Sequence, residues 1–229
     1  MGVVEKAFLV RSGQGGDCGR RTKLHSPREL VFREHDTAQR VYVVDEGLVM
    51  LYHVFCDGRR HIVDLVGPGE LCAWESGTVH GCTAETLTFC TITSYDVTRV
   101  DESPALQRDL SRRLRASLRR VQGHTAMLGR KTALERVASL IERLSEICDP
   151  DGDEVYLPLT RREIADHLGI TQETASRSFS ELKRRCIICH MSPNEIRIEN
   201  PAALARLAGS RMGGLHSPPA RMAELAAEL

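Results

Sequence analysis

Hydrophobic periodicity changes twice along this chain. Between Pro27 and Val100 the apolar residues fall in short runs separated by Gly turns. Val41, Tyr42, Val43 and Val44 fill both faces of one strand ahead of Asp45-Glu46-Gly47. Leu48 to Phe55 is a second strand, ended by the hairpin signal Cys56-Asp57-Gly58. His61 to Val66 is a third, ended by Gly67-Pro68-Gly69, and the β-branched run Thr86 to Ser94 predicts one late strand. Strands at this spacing predict a small barrel or jelly roll.

Beyond Asp101-Glu102-Ser103-Pro104 the period becomes helical, and Pro104 suits a first helical turn. Leu106, Leu110, Leu114, Leu118, Val121 and Leu128 form an apolar stripe at spacings of four, four, four, three and seven. A stripe on so long a helix can lie on the roll, or pair with its own copy as a coiled coil. Gly123 and Gly129 predict a bend near its end. Thr132 to Ile147 is a further helix with Ala133, Val137, Leu140, Ile141 and Leu144 inward. The stretch Asp149 to Asp153 reads as a solvated turn and Val155-Tyr156-Leu157 as a short strand.

The stretch from Thr160 to Ile198 carries the densest local signals. Thr160-Arg161-Arg162-Glu163 fits a capping box, so a helix starts there with Ile164, Ala165 and Leu168 inward. Gly169 ends it, because Gly enters the left-handed C-cap without steric cost. Thr171 is an N-cap for a second helix running to about Arg184, with Ala175, Phe179 and Leu182 inward. Gln172, Glu173, Ser176 and Arg177 occupy its opposite face in the first two turns. Two apolar runs after Arg185 predict a β-hairpin wing. This is a winged helix-turn-helix, whose second helix presents its N-terminal turns to base edges in the major groove. Arg can pair bidentately with guanine, and Glu can accept from cytosine N4. The bland alternative is a solvated amphipathic helix pair. The agreement of capping box, turn Gly, second N-cap and wing favours DNA binding. Asn200 to Ala208 predicts a short helix. Gly209 to Pro219 reads as a loop, and the C-terminal end as a weak helix.

Composition narrows the function class. The 229 residues carry 31 basic and 31 acidic side chains, so net charge alone says nothing for nucleic acid. The distribution says more. Pro104 to Lys131 holds eight basic residues against Asp109 alone, and Thr160 to Ile198 holds seven against five. No segment reaches the about 18 to 20 apolar residues of a membrane span. The N-terminus lacks the apolar core and cleavage site of a secretory signal, so the expected location is cytoplasmic. The eight scattered cysteines read as reduced thiols. No phosphate loop or nucleophile–base constellation points to an enzyme.

Glu173-Thr174-Ala175-Ser176-Arg177 matches at every fixed position the Glu-x-x-Ser-Arg pattern of the Fnr and FixK branches of the Crp/Fnr family of bacterial transcription regulators, which this chain resembles from about Pro27 to Ala208. Leu128 to Ala138 is similar to the start of that family's DNA-binding domain, and Gly69-Glu70-Leu71 to its cyclic-nucleotide-binding β-roll. The resemblance implies an α+β architecture: segment 1–26, a β-roll at 27–100, a dimerisation helix at 101–128, a winged helix-turn-helix at 129–208 and a tail at 209–229. It implies a homodimer, seamed by Leu106, Leu110, Leu114, Leu118, Val121 and Leu128, on a TTGA-N6-TCAA-like palindrome of double-stranded DNA. Glu173 and Arg177 would read the G·C pair and Ser176 would favour the outer T·A. Gln172, Thr171 and Thr160 complete the expected contact set. It further implies activation by recruiting RNA polymerase, in oxygen-limited or anaerobic metabolism.

The effector chemistry of the family does not carry over. Cyclic-AMP binders hold the phosphate with an Arg shortly after the Gly-Glu-Leu turn. Ser76 to Cys82 contains none, and a buried phosphodiester without a cation is poorly compensated. Glu70 then reads as a turn cap. Cys18 is the sole cysteine before Cys56, so the N-terminal group that holds an iron–sulfur cluster with an internal residue such as Cys90 is missing. No cofactor or metal is assigned. A roll that senses a nucleotide, a metal or haem, with His53, His61 or His80 near Trp74, is the alternative. Cys186-Ile187-Ile188-Cys189-His190 matches a haem-attachment string, but reads as wing packing. Cys186, which comes after Lys183-Arg184-Arg185, is a redox candidate, since nearby cations raise thiol reactivity.

Overall fold

The computed structural model describes residues 19–75, 78–148 and 153–209. Eight short strands build the N-terminal half: β1 Arg20–His25, β2 Leu30–Phe32, β3 Arg40–Glu46, β4 Val49–Val54, β5 Arg60–Val66, β6 Leu71–Ala73, β7 Thr83–Thr86 and β8 Cys90–Asp96. They form two antiparallel sheets, ordered β1-β8-β3-β6 and β2-β7-β4-β5. Phe32, Val44, Val49, Leu51, Val66, Cys72, Ala84, Cys90 and Ile92 fill the core of this roll. The β3–β4 turn needs its glycine. Gly47 sits at φ +89, and a Cβ there would lie 2.3 Å from the Phe89 carbonyl oxygen.

Two sequence expectations change here. The Gly- and Arg-rich sequence up to about Lys23 predicts an irregular segment, yet β1 starts at Arg20 and pairs with β8 from Arg20↔Tyr95 to His25↔Cys90. It is an edge strand whose first five residues are exposed, so its charged side chains hide it from any hydrophobic pattern. The β-branched run Thr86 to Ser94 is also broken in two. At Leu87 and Thr88 the chain turns, with the Thr88 hydroxyl accepting from the Leu48 N–H at 2.9 Å. Cys18 and the segment from residue 210 onward lie outside the described residues, as does most of the expected turn before Asp153.

Helix α1, Val97–Glu102, leads into α2, Pro104–Arg130, which Ser103 caps through the Leu106 N–H. Leu110 is fully buried with Val41, Val43, Leu71 and Val100, and half-buried Leu106 packs beside it. These two residues, expected at a dimer seam, therefore belong to the chain's own core: the first turns of α2 lie on the β3–β6 sheet. Leu114, Leu118 and Val121 stay exposed, and Leu128 is half-buried. The glycines expected to mark a bend do not interrupt the helix. Helix α2 runs through Gly123 and Gly129 and ends at Lys131, where the backbone becomes extended.

The C-terminal half comprises α3 Ala133–Cys148, β9 Glu154–Tyr156, α4 Arg161–Leu168, α5 Gln172–Arg184, β10 Ile188–Ser192, β11 Glu195–Ile198 and α6 Pro201–Ala208. Its small sheet is ordered β10-β11-β9. Val137, Leu140, Ile141, Leu144, Ile164, Leu168, Ala175, Phe179 and Leu182 form a core that continues without a break into Leu48, Met50, Ile62 and Leu65 of the roll. Arg136 ties three helices by donating to the carbonyls of Leu128 at 2.6 Å and Leu168 at 2.8 Å, the ends of α2 and α4. No helix among the described residues is long and apolar enough to cross a membrane.

Candidate nucleic-acid interface

The helix pair forms as its caps dictate. Thr160 accepts from the Glu163 N–H at 3.2 Å, and Glu163 reaches back to the Thr160 N–H at 2.8 Å. Gly169 closes α4 at φ 62, ψ 40. Thr171 caps α5 by accepting from the Thr174 N–H at 3.1 Å. Both threonines are exposed, with their hydroxyls already engaged in these caps.

On α5 the inward face is Ala175, Phe179 and Leu182, all buried. The outward face carries exposed Gln172, Glu173 and Arg177, with half-buried Ser176 between them. Arg177 Nη2 lies 2.5 Å from Glu173 Oε1, one helical turn apart, with side chains 78% and 72% exposed. A pair this exposed holds the two groups together at little cost to separation. Its fork and its carboxylate can both turn to base edges.

Basic groups flank this face. Exposed Arg162 and half-buried Arg161 come directly after the α4 cap, and Lys183 lies at the far end of α5. The Arg161 guanidinium stacks 3.5 Å over the Phe179 ring, and burial lowers its pKa. The sequence carries a signal for Arg161 and Arg162, a basic pair immediately after a helix N-cap, although neither belongs to the expected contact set.

Cys186 sits elsewhere than expected. It is exposed in the turn between α5 and β10 at φ 53, a left-handed position, rather than on the wing strand. The neighbouring guanidiniums of Arg184 and Arg185 both grip Glu181, whose carboxyl their hydrogen bonds hold down at about 2. Cys189 and His190 are consecutive on β10 and so face opposite sides of the wing.

In the roll, Glu70 accepts from the Gly67 N–H at 2.8 Å and so caps its turn, as expected. Its carboxylate also pairs with Arg120 at 3.1 Å and with Arg143. Arg120 in turn makes a fork to Asp64 at 3.0 and 2.7 Å. The carboxylate of the Gly-Glu-Leu turn is thus taken by the chain's own arginines. The three candidate haem histidines have separate partners. His53 meets Glu34 at 3.1 Å, His61 donates to the Asp166 carbonyl at 3.2 Å, and His80 stacks on Phe32 at 3.9 Å. Cys90 is buried with its thiol against the Leu48 carbonyl, the environment of a packed strand residue.

Comparison with known proteins agrees with this architecture. Residues 23–102 match a cyclic nucleotide-binding domain and residues 135–207 a Crp-like helix-turn-helix domain. The chain is 32% identical to the nitrogen fixation regulation protein FixK of Rhizobium meliloti, over 80% of this chain and 85% of that one. It is 30% identical to the transcriptional activator protein FnrA of Stutzerimonas stutzeri, over 80% and 79%. The solved structure of FixK2 from Bradyrhizobium japonicum superposes with a TM-score of 0.74 at 29% identity, covering 86% of this chain and 99% of that one. A roll, a long helix and a winged helix-turn-helix with an exposed Glu-x-x-Ser-Arg face, on a chain with such relatives, make this protein a member of the Crp/Fnr family of transcription regulators, in its FixK-like branch.

Proposed function

We propose that the chain acts as a homodimeric activator that reads a TTGA-N6-TCAA-like palindrome without a cyclic nucleotide. The observation that carries this is the Glu173–Arg177 pair, exposed on the first turns of α5 with Ser176 between them. Arg177 pairs with guanine O6 and N7, and Glu173 accepts from the cytosine amino group. Gln172 reaches the adjacent base, and Thr160 and Thr171 bring their helix N-termini to phosphates. A two-fold palindrome demands a two-fold protein. Exposed Leu114, Leu118 and Val121, with Leu128, supply the seam along α2. Glu70, already neutralised by Arg120 and Arg143, favours an effector-free roll.

Its relatives' names, a nitrogen fixation regulator and a transcriptional activator, support a role in activating genes of oxygen-limited metabolism through RNA polymerase. Exposed Cys186, in the turn after α5 and next in sequence to Lys183, Arg184 and Arg185, is a proposed point of oxidative control. Fluorescence anisotropy on a TTGA-N6-TCAA duplex, against a scrambled duplex, tests the reading. Specific binding in reductant without added ligand is the expected result. Binding only after cyclic AMP is added would replace it with an effector-gated regulator. A Cys186→Ser protein that loses binding in peroxide as readily as the parent would remove the cysteine from the account.

A further inference from the structure

Glu163 is 4% exposed, yet it does more than close the α4 capping box. Arg28, in the turn between β1 and β2, donates to both its oxygens, at 2.6 and 3.1 Å, and to the Pro158 carbonyl at 2.9 Å. Arg28 holds φ 65 to do so, a left-handed backbone that is uncommon for a side chain of this size. Arg60, at the start of β5, donates to Glu163 at 3.2 Å and lies 3.8 Å from Asp166. Further along both elements, the roll and α4 exchange more bonds. His167 Nδ1 donates to the Ile62 carbonyl at 3.1 Å, and His61 Nδ1 to the Asp166 carbonyl at 3.2 Å. Strand β5 is the outer strand of its sheet, and α4 satisfies one of its main-chain groups, the Ile62 carbonyl. Burial alone would raise the Glu163 pKa. The Arg28 fork and the Thr160 N–H more than offset it and bring it to about 2.

With α4 so docked, Gln172, Glu173 and Arg177 remain exposed. Docking does not occlude the reading face. It fixes that face relative to α2, because α4 and α5 meet through the single turn at Gly169 and share one core with the roll.

We propose that the Arg28–Glu163–Arg60 clamp is a positioning device for DNA reading, seating α4 on β5 so that the two recognition helices of a dimer are held at the spacing of the palindrome. The inference rests on the dimeric reading under Proposed function. The clamp touches no DNA and acts through α5. Loosening it lowers the population of dimers with both helices in register, and apparent affinity falls with that fraction. A single half-site, which one helix reads alone, is nearly indifferent to it.

The test uses the full chain and four duplexes: the palindrome, versions with the spacer one base pair shorter or longer, and one with a single half-site. Glu163→Gln keeps a capping side chain at the third position while removing the charge. Arg28→Lys keeps the charge without the fork. Arg60→Ala leaves the Arg28 fork in place and guards against a Glu163 variant that does not fold. Glu163→Gln is expected to bind the palindrome about tenfold more weakly, with half-site binding changed less than about twofold. Its preference for the native spacer narrows, and Arg28→Lys falls between it and the parent. Backbone amides of β5 exchange faster in Glu163→Gln and in Arg60→Ala. Equal losses on all four duplexes would mean a merely structural role and overturn the proposal, as would an unchanged spacer preference. A parent that ignores spacer length while still favouring TTGA would remove the palindrome reading, and this inference with it.

Discussion

Two Arg–Glu pairs in this chain have nearly the same separation and different roles. Arg177 and Glu173 lie 2.5 Å apart with side chains 78% and 72% exposed. Arg28 and Glu163 lie 2.6 Å apart, at 40% and 5%. Water competes for the first pair, so it contributes little to stability and opens readily toward another partner. In the second, Glu163 has little water to replace a lost partner, so without the Arg28 fork its buried carboxylate keeps only Arg60 and the Thr160 cap. The same two side chains thus serve as a reader in one place and a fastener in the other. Burial, rather than distance, decides which.

Substitution separates the two. Glu163→Ala removes both the buried pair and the capping box, and should cost about 3 kcal/mol in urea denaturation, the half-exposure of Arg28 keeping it at the lower end for a broken buried pair. Arg177→Ala should change stability by less than about 0.5 kcal/mol. It should cost about 2 kcal/mol of binding to the proposed palindrome, with discrimination lost at the G·C position, measured by anisotropy on duplexes changed there.

Acid sharpens the comparison further. His167 sits beside Glu163's helix turn, donating to Ile62. Burial first, then repulsion from His124 and His61, bring its pKa down to about 3. The unfolded chain takes up this proton from about pH 6.5 downward while the folded chain does not. Stability from this residue is therefore intact above about pH 6.5 and falls as pH drops toward 3, by up to about 1.4 kcal/mol per pH unit. Glu163 adds to the loss between its unfolded value of 4.5 and about 2. Urea midpoints followed from pH 7 to 5 should show the decline, and His167→Asn should flatten it. The smallest expected effect is at Cys186, where glycine relieves a left-handed backbone at some cost in chain entropy. Cys186→Gly should raise the urea midpoint by an amount equivalent to about 0.5 kcal/mol.

What was legible in the sequence was local. Both helix caps, the Gly169 turn and the buried faces of α4 and α5 come from residues within a few positions of one another. So did Glu70 as a turn cap. Three features escaped because their signals are not local. Strand β1 is polar and borrows its order from β8, with Thr22 and Thr93 meeting across 71 positions of sequence. Leu110 belongs to the same stripe as Leu114 and Leu118, and only the roll's position tells a buried leucine from an exposed one. The clamp joins Arg28 to Glu163 across a sequence separation of 135 residues, and no motif announces such a pair.

Helix α4 packs beside β5, the outer strand of its sheet, with His167 donating to the Ile62 carbonyl and the His61 side chain donating to the Asp166 carbonyl. An uncovered outer strand is a template on which a second chain can add a strand of its own. A protomer whose winged helix swings free would thus be prone to aggregate as well as poorly aligned. The clamp proposed to set register on DNA would then also guard that outer strand, and variants that loosen it should cloud on standing before they unfold.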